Sequence, residues 1–146
     1  MTRLFTIGFT KKTAEQFFTL LASSRVRTLI DTRLNNRSQL AGFSKADDLP
    51  YFLSQIAGID YRHEECMAPT QEMLDRYKKQ KGSWKAYEAE FSALLQSRSL
   101  SEVVSLDELA DACLLCSEHE PTHCHRRLVA EYFRDTYADI EIVHLF

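Results

Sequence analysis

The chain has 146 residues and a formal charge of −3, with 45% hydrophobic and 27% charged positions, four Gly and three Pro. A globular chain of this size buries roughly 68–70% of its unfolded surface without help from disulfides or metals. Gly and Pro are too scarce for linkers or low-complexity repeats, no apolar run approaches the roughly 18 residues of a membrane span, and the mild acidity argues against a general nucleic-acid coat while leaving room for a local basic pocket.

In chain order, Leu4–Gly8 reads as a first strand ending at a glycine. Thr13-Ala-Glu-Gln16 has capping-box spacing and opens a helix whose buried stripe is Phe17, Phe18, Leu20 and Leu21. Thr28–Thr32 is a second strand with Asp31 near its tip, followed by a polar loop from Arg33 to Gly42. A helix with Pro50 near its start carries Leu49, Phe52, Leu53 and Ile56 and stops at Gly58. Ile59–His63 is a third, alternating strand. Residues 70–98 form two helices capped by Thr70 and Ser83, with the break at Lys81-Gly82. Leu100–Asp111 reads as a turn and a short helix, Ala112–Cys116 as a buried strand, Pro121 to about Tyr137 as a helix, and Ile140–Leu145 as the last strand. The alternation predicts a single α/β domain over residues 1–146: a mostly parallel sheet of about five strands with helices on both faces. Ligands of such sheets bind outside the carboxyl ends of the strands, which directs attention to Gly8, to Asp31 with Arg33, and to the segment after Cys116.

The cysteines sharpen this. Met1 is followed by no apolar leader, so the cytoplasm is the expected compartment, where clustered cysteines signal metal or chemistry rather than structural bridges. Cys113, Cys116 and Cys124 fall within twelve residues, together with His119, His123 and His125. A zinc knuckle built on Cys113-x-x-Cys116 is disfavoured, because residues three apart on a strand face opposite sides of the sheet. Cys113 therefore reads as a small core residue. Cys116, at the strand end beside Glu118, is either core or functional.

Cys124 is placed in the first turn of a helix, where free N–H groups, the helix dipole and nearby Arg126 and Arg127 lower a thiol's pKa; it is a candidate nucleophile or redox thiol, against a packed structural thiol. Leu128, Val129, Tyr132 and Phe133 mark the buried face of that helix, and His125 lies near its centre, pointing over the sheet, with a proton-transfer or orienting role set against a satisfied core histidine. Arg127, His119 and His123 read as exposed. Asp31 and Arg33 share a face on extended backbone; the alternatives are an ordinary ion pair or an Arg33 that holds an anion, with Arg37 and Lys45 nearby. Thr6 and Gly8 suit a tip where backbone approaches a ligand. Tyr77 and the Trp84–Tyr87 stretch read as packing rather than as base-stacking platforms. A phosphatase- or rhodanese-type loop is excluded, since the residue six after Cys124 is Ala130 and no glycine intervenes.

These motifs resemble a mainly bacterial family, the domain of unknown function 488, across nearly the whole chain. The resemblance rests on Thr6-Ile-Gly-Phe-Thr10, Asp31-Thr-Arg33, Phe43-Ser-Lys45, Gly58-Ile-Asp-Tyr61, Leu115-Cys-Ser-Glu118, Cys124-His-Arg126 and Val143-His-Leu145. Phe9 stands where the family usually has histidine, and Glu65-Cys-Met-Ala68 replaces a usual Leu-Gly-rich turn. The resemblance implies a compact α/β fold and a polar site around Asp31, Arg33, Cys116, Glu118, Cys124, His125 and Arg126; it implies no activity.

The leading expectation is a small cytoplasmic enzyme, or enzyme-like binder, of an anionic, nucleotide-like molecule. Arg33 and Arg126 hold the anion beside Thr6 and Gly8, Cys124 is the reactive thiol with Cys116 as resolving partner, His125 and Glu118 handle protons, and Asp31 orients a partner. No cofactor is specified and no metal ligand is assigned in this reading. Two alternatives stand beside it: a zinc-binding module using Cys116, Cys124 and His125, with His123 or Glu118 as a further ligand, and a nucleic-acid or protein adaptor without catalysis.

Overall fold

A computed structural model describes residues 1–36 and 42–146; Arg37 and part of the expected Arg33–Gly42 loop lie outside the described residues. Five strands, β1 (Thr2–Gly8), β2 (Thr28–Asp31), β3 (Asp60–His63), β4 (Ala112–Cys116) and β5 (Ile140–Leu145), form one all-parallel sheet in the order β3-β2-β4-β1-β5. Six α-helices are present among the described residues: α1 (Ala14–Ser23), α2 (Leu49–Phe52), α3 (Gln71–Lys78), α4 (Trp84–Arg98), α5 (Leu106–Leu109) and α6 (His125–Tyr137). None is long and apolar enough to cross a membrane.

Strand alternation divides the core in two, as side chains two apart share a face. Leu4, Ile30, Ala112 and Leu114 point to one face and pack with Tyr87, Phe91 and Leu95 of α4 and Leu128, Val129 and Phe133 of α6. Phe5, Ile7, Leu29, Cys113 and Leu115 point to the other, against Phe17, Phe18 and Leu21 of α1 and Leu49 and Leu53. Cys113 is completely buried there, which explains its thiol being pushed far up by desolvation.

The local signals act as read in most places. Thr13 and Gln16 close a capping box on α1, and Thr70 and Ser83 cap α3 and α4. Two expectations are corrected. The helix over residues 49–57 is α2 followed by a π turn, Leu53–Ala57, ending at Gly58 with φ 63°. The wider i→i+5 turn rotates Ile56 off the buried stripe, and it is 58% exposed. Helix α6 starts at His125, not near Pro121: the Cys124 N–H donates to the Pro121 carbonyl and closes a separate turn, so Cys124 is the N-cap rather than a first-turn residue.

Strands β2 and β4 are neighbours, and the chain leaves them towards opposite faces: the segment after β2 packs on the α1 side, whereas α6 crosses the other side to reach β5. A crevice between such diverging connections is where open parallel sheets bind ligands.

Candidate functional site

A cavity of about 250 Å³ occupies that crevice. Arg33 and Asn35 come from the end of β2, Cys116 and Glu118 from the end of β4, and Cys124 and His125 from the start of α6. The far wall is α3 and α4, through Leu74, Tyr77, Lys78, Trp84 and Tyr87.

Arg33 is 4% exposed and anchored by its neighbours. Its Nε and Nη2 donate to the two carboxylate oxygens of Asp31 at 2.8 and 2.7 Å, and Nη2 also donates to the Ser44 carbonyl at 2.7 Å. Asp31, fully buried, accepts in addition from the Tyr61 hydroxyl at 2.6 Å. Burial and that bond to the carboxylate push the Tyr61 phenol up, so it stays protonated as the donor. The Phe9 ring lies 5.4 Å from the guanidinium carbon, so the residue replacing the usual histidine packs on Arg33 as a cation–π partner. One atom is left over: Nη1 of Arg33 is buried without a hydrogen-bond partner among the described residues.

Cys116 and Cys124 are joined sulfur to sulfur, with Cα atoms 7.5 Å apart. His125 adjoins them, one of its ring nitrogens within 4.8 Å of both sulfurs. Its Nε2 lies 2.9 Å from the Thr32 carbonyl and 3.0 Å from the Thr32 hydroxyl. Thr32 Oγ1 itself donates to the Leu115 carbonyl at 2.7 Å, and a carbonyl only accepts, so Nε2 carries the proton and Nδ1 keeps a lone pair. Burial pushes this imidazole down to about 4, opposed by its bond to Thr32 and aided by the Arg126 charge; it is neutral at pH 7.

Arg126 does not line the cavity. It is fully buried, with Nε on the Thr6 hydroxyl at 3.2 Å, Nη1 on Cys116 Sγ at 3.2 Å and on the Glu118 carbonyl, and Nη2 on the His119 carbonyl at 3.1 Å. Desolvation lowers its pKa to about 10, which still leaves it charged at neutral pH. Its donors fasten the 117–119 segment to the sheet. A Cβ on Gly8 would lie 1.5 Å from the Glu118 carbonyl oxygen, so the close approach made at that glycine is by the chain's own backbone rather than by a ligand. Thr6 is occupied by Arg126 and by His144 Nδ1 at 2.6 Å.

Glu118 is exposed and pairs with Lys78 Nζ at 3.2 Å. Arg127, expected as a solvated charge, is half-buried and bridges Glu88 and Glu131 at 2.6 and 3.0 Å. His123 is exposed as expected, but stacks on Trp84 at 5.0 Å between ring centres and lines the cavity. Tyr77, Trp84 and Tyr87 pack on one another, as read, and also face the cavity. In the Glu65–Ala68 segment, the carbonyls of Cys66 and Ala68 accept from Arg98 Nη1 at 2.7 and 2.6 Å, fixing Pro69 as part of the wall. Thr32, Lys78 and Trp84 are site residues that the sequence did not single out as such; only the position of Thr32 beside Asp31 carried a signal for it.

A family model described as a domain of unknown function, DUF488, matches residues 13–133. No curated protein and no solved structure matches the chain.

Proposed function

The chain belongs to the DUF488 family, and from that premise we propose that it is a cytoplasmic, enzyme-like domain that binds a small anionic molecule of nucleotide type in the β2–β4 crevice. The observation that carries this reading is Nη1 of Arg33, buried without a partner among the described residues on a side chain that lines the cavity. An N–H left without an acceptor costs roughly 1–3 kcal/mol, a cost that a ligand oxygen removes.

Two features support an anion in particular. Helix α6 has no side-chain cap at Cys124, and Cys124 and His125 line the cavity, so the positive dipole end of the helix adjoins it. Lys78, paired with exposed Glu118, lies on the opposite wall, and a surface pair of this kind is readily exchanged for a ligand oxyanion. Tyr77, Trp84 and Tyr87 give the cavity an aromatic wall, which suits a ring. In this reading Asp31 holds Arg33 in place, Arg126 positions the 117–119 segment, and chemistry falls to Cys116, Cys124 and His125 at the cavity floor.

Trp84 is the single tryptophan and lines the cavity, so its emission reports occupancy. Titration with AMP, adenosine and inorganic phosphate is expected to give a saturable change, tightest for AMP, and weakened at least tenfold by Lys78→Ala. Absence of a saturable signal and of any thermal shift with all three, at millimolar concentration, overturns the reading.

A further inference from the structure

We propose that Cys116, Cys124 and His125 form a three-donor zinc(II) site whose remaining coordination place opens on the cavity. The inference rests on the crevice reading for that last place alone.

The donors come from the end of β4, the N-cap of α6 and its first residue, and their ligand atoms lie within 4.8 Å of one another. With Zn–S about 2.3 Å and Zn–N about 2.0–2.1 Å, tetrahedral ligand atoms sit roughly 3.5–3.8 Å apart, inside that radius. The Cα atoms of Cys116 and Cys124 are 7.5 Å apart, wider than the roughly 4.4–6.8 Å usual for disulfides and wide enough for an ion between the sulfurs.

The surroundings are those of a ligating set. His125 donates its Nε2 proton to the Thr32 carbonyl, the outer bond that metal-bound histidines make, and this presents the Nδ1 lone pair. Arg126 Nη1 donates to Cys116 Sγ, stabilising a thiolate there, while Cys124 sits at the positive end of α6. Two thiolates and one Zn²⁺ cancel in charge. All three residues line the cavity, so the fourth place is reached by water or by a ligand oxygen, the arrangement of catalytic rather than closed structural zinc. Neither His123, which stacks on Trp84, nor Glu118, paired with Lys78, belongs to the cluster.

Entry of zinc requires the reduced pair. A phosphine reductant supplies two electrons to the S–S bond and leaves as its oxide with oxygen from water, giving two thiols; zinc binding then releases their two protons.

The test uses untagged full-length protein, reduced with phosphine, incubated with zinc sulfate and desalted, with no organic ligand present. One equivalent of zinc is expected, with two of the four thiols shielded from a thiol reagent; less than about 0.2 equivalents overturns the site. Cys116→Ser, Cys124→Ser and His125→Gln should each weaken zinc at least tenfold, while Cys66→Ser and Cys113→Ser retain it; loss of zinc in Cys66→Ser overturns the assignment. Cobalt(II) loading of the unmutated protein guards against variants that fail to fold: a thiolate-to-cobalt band with tetrahedral d–d intensity supports the site, and octahedral cobalt without that band overturns it. Nucleotide binding is measured separately through Trp84, so zinc without nucleotide binding, or the reverse, shows which of the two readings has failed.

Discussion

At the scale of single residues, the strand tips are governed by close approach and buried charge. Gly8→Ala places a Cβ against the Glu118 carbonyl, backbone that cannot swing aside, and within 2.8 Å of Arg126 Nη1. Unfolding in urea should show a loss at or above the upper end of the roughly 1–3 kcal/mol range for overpacking. Asp31→Ala leaves the Arg33 guanidinium buried with its counter-charge removed, for which roughly 3–5 kcal/mol is expected in the same measurement. Lys78→Ala provides the contrast: its pair with Glu118 is exposed on both sides, and the stability should change by less than about 1 kcal/mol.

Secondary-structure elements decide which residues a periodicity delivers to the core. Leu49, Phe52, Leu53 and Ile56 follow helical spacing, yet the π turn after α2 buries Leu53 and exposes Ile56. Leu53→Ala should therefore cost roughly 2–5 kcal/mol, whereas Ile56→Ser should stay within about 0.5 kcal/mol of the parent. Comparable losses at both positions, read from urea midpoints, would mean that an uninterrupted α-helix runs through residues 49–57. At α6 the displacement of the start to His125 has a chemical consequence: it makes Cys124 the cap and brings the His125 ring to the Thr32 carbonyl.

For the whole molecule, the two-faced core fixes β2 and β4 side by side while their continuations diverge, and the cavity follows from that topology. A molecule seated there binds only the folded chain. AMP at a hundred times its dissociation constant should stabilise the protein by about 2.7 kcal/mol, seen as a rise of several degrees in Tm. The same rise in Arg33→Lys, in which the planar fork on Asp31 and the free Nη1 are both lost, would place the ligand elsewhere.

The sequence by itself determined the strands, the caps of α1, α3 and α4, the burial of Cys113 and the placing of Asp31, Arg33, Cys116, Cys124 and His125 near the strand tips, because each follows from short-range rules: period-2 and period-3.6 burial, capping spacing, and the carboxyl-end location of sites in parallel sheets. Only the tertiary structure decided which of those side chains reach the cavity. Arg126 and Arg33 are the same residue type at the same end of the sheet, but one meets the Glu118 and His119 carbonyls, Cys116 Sγ and Thr6, whereas Nη1 of the other has no partner among the described residues. Trp84 meets His123 across 39 residues of chain, and Lys78 meets Glu118 across 40. Such partnerships arise where the helices packed on one face of the sheet bring distant segments together, and no local spacing encodes them.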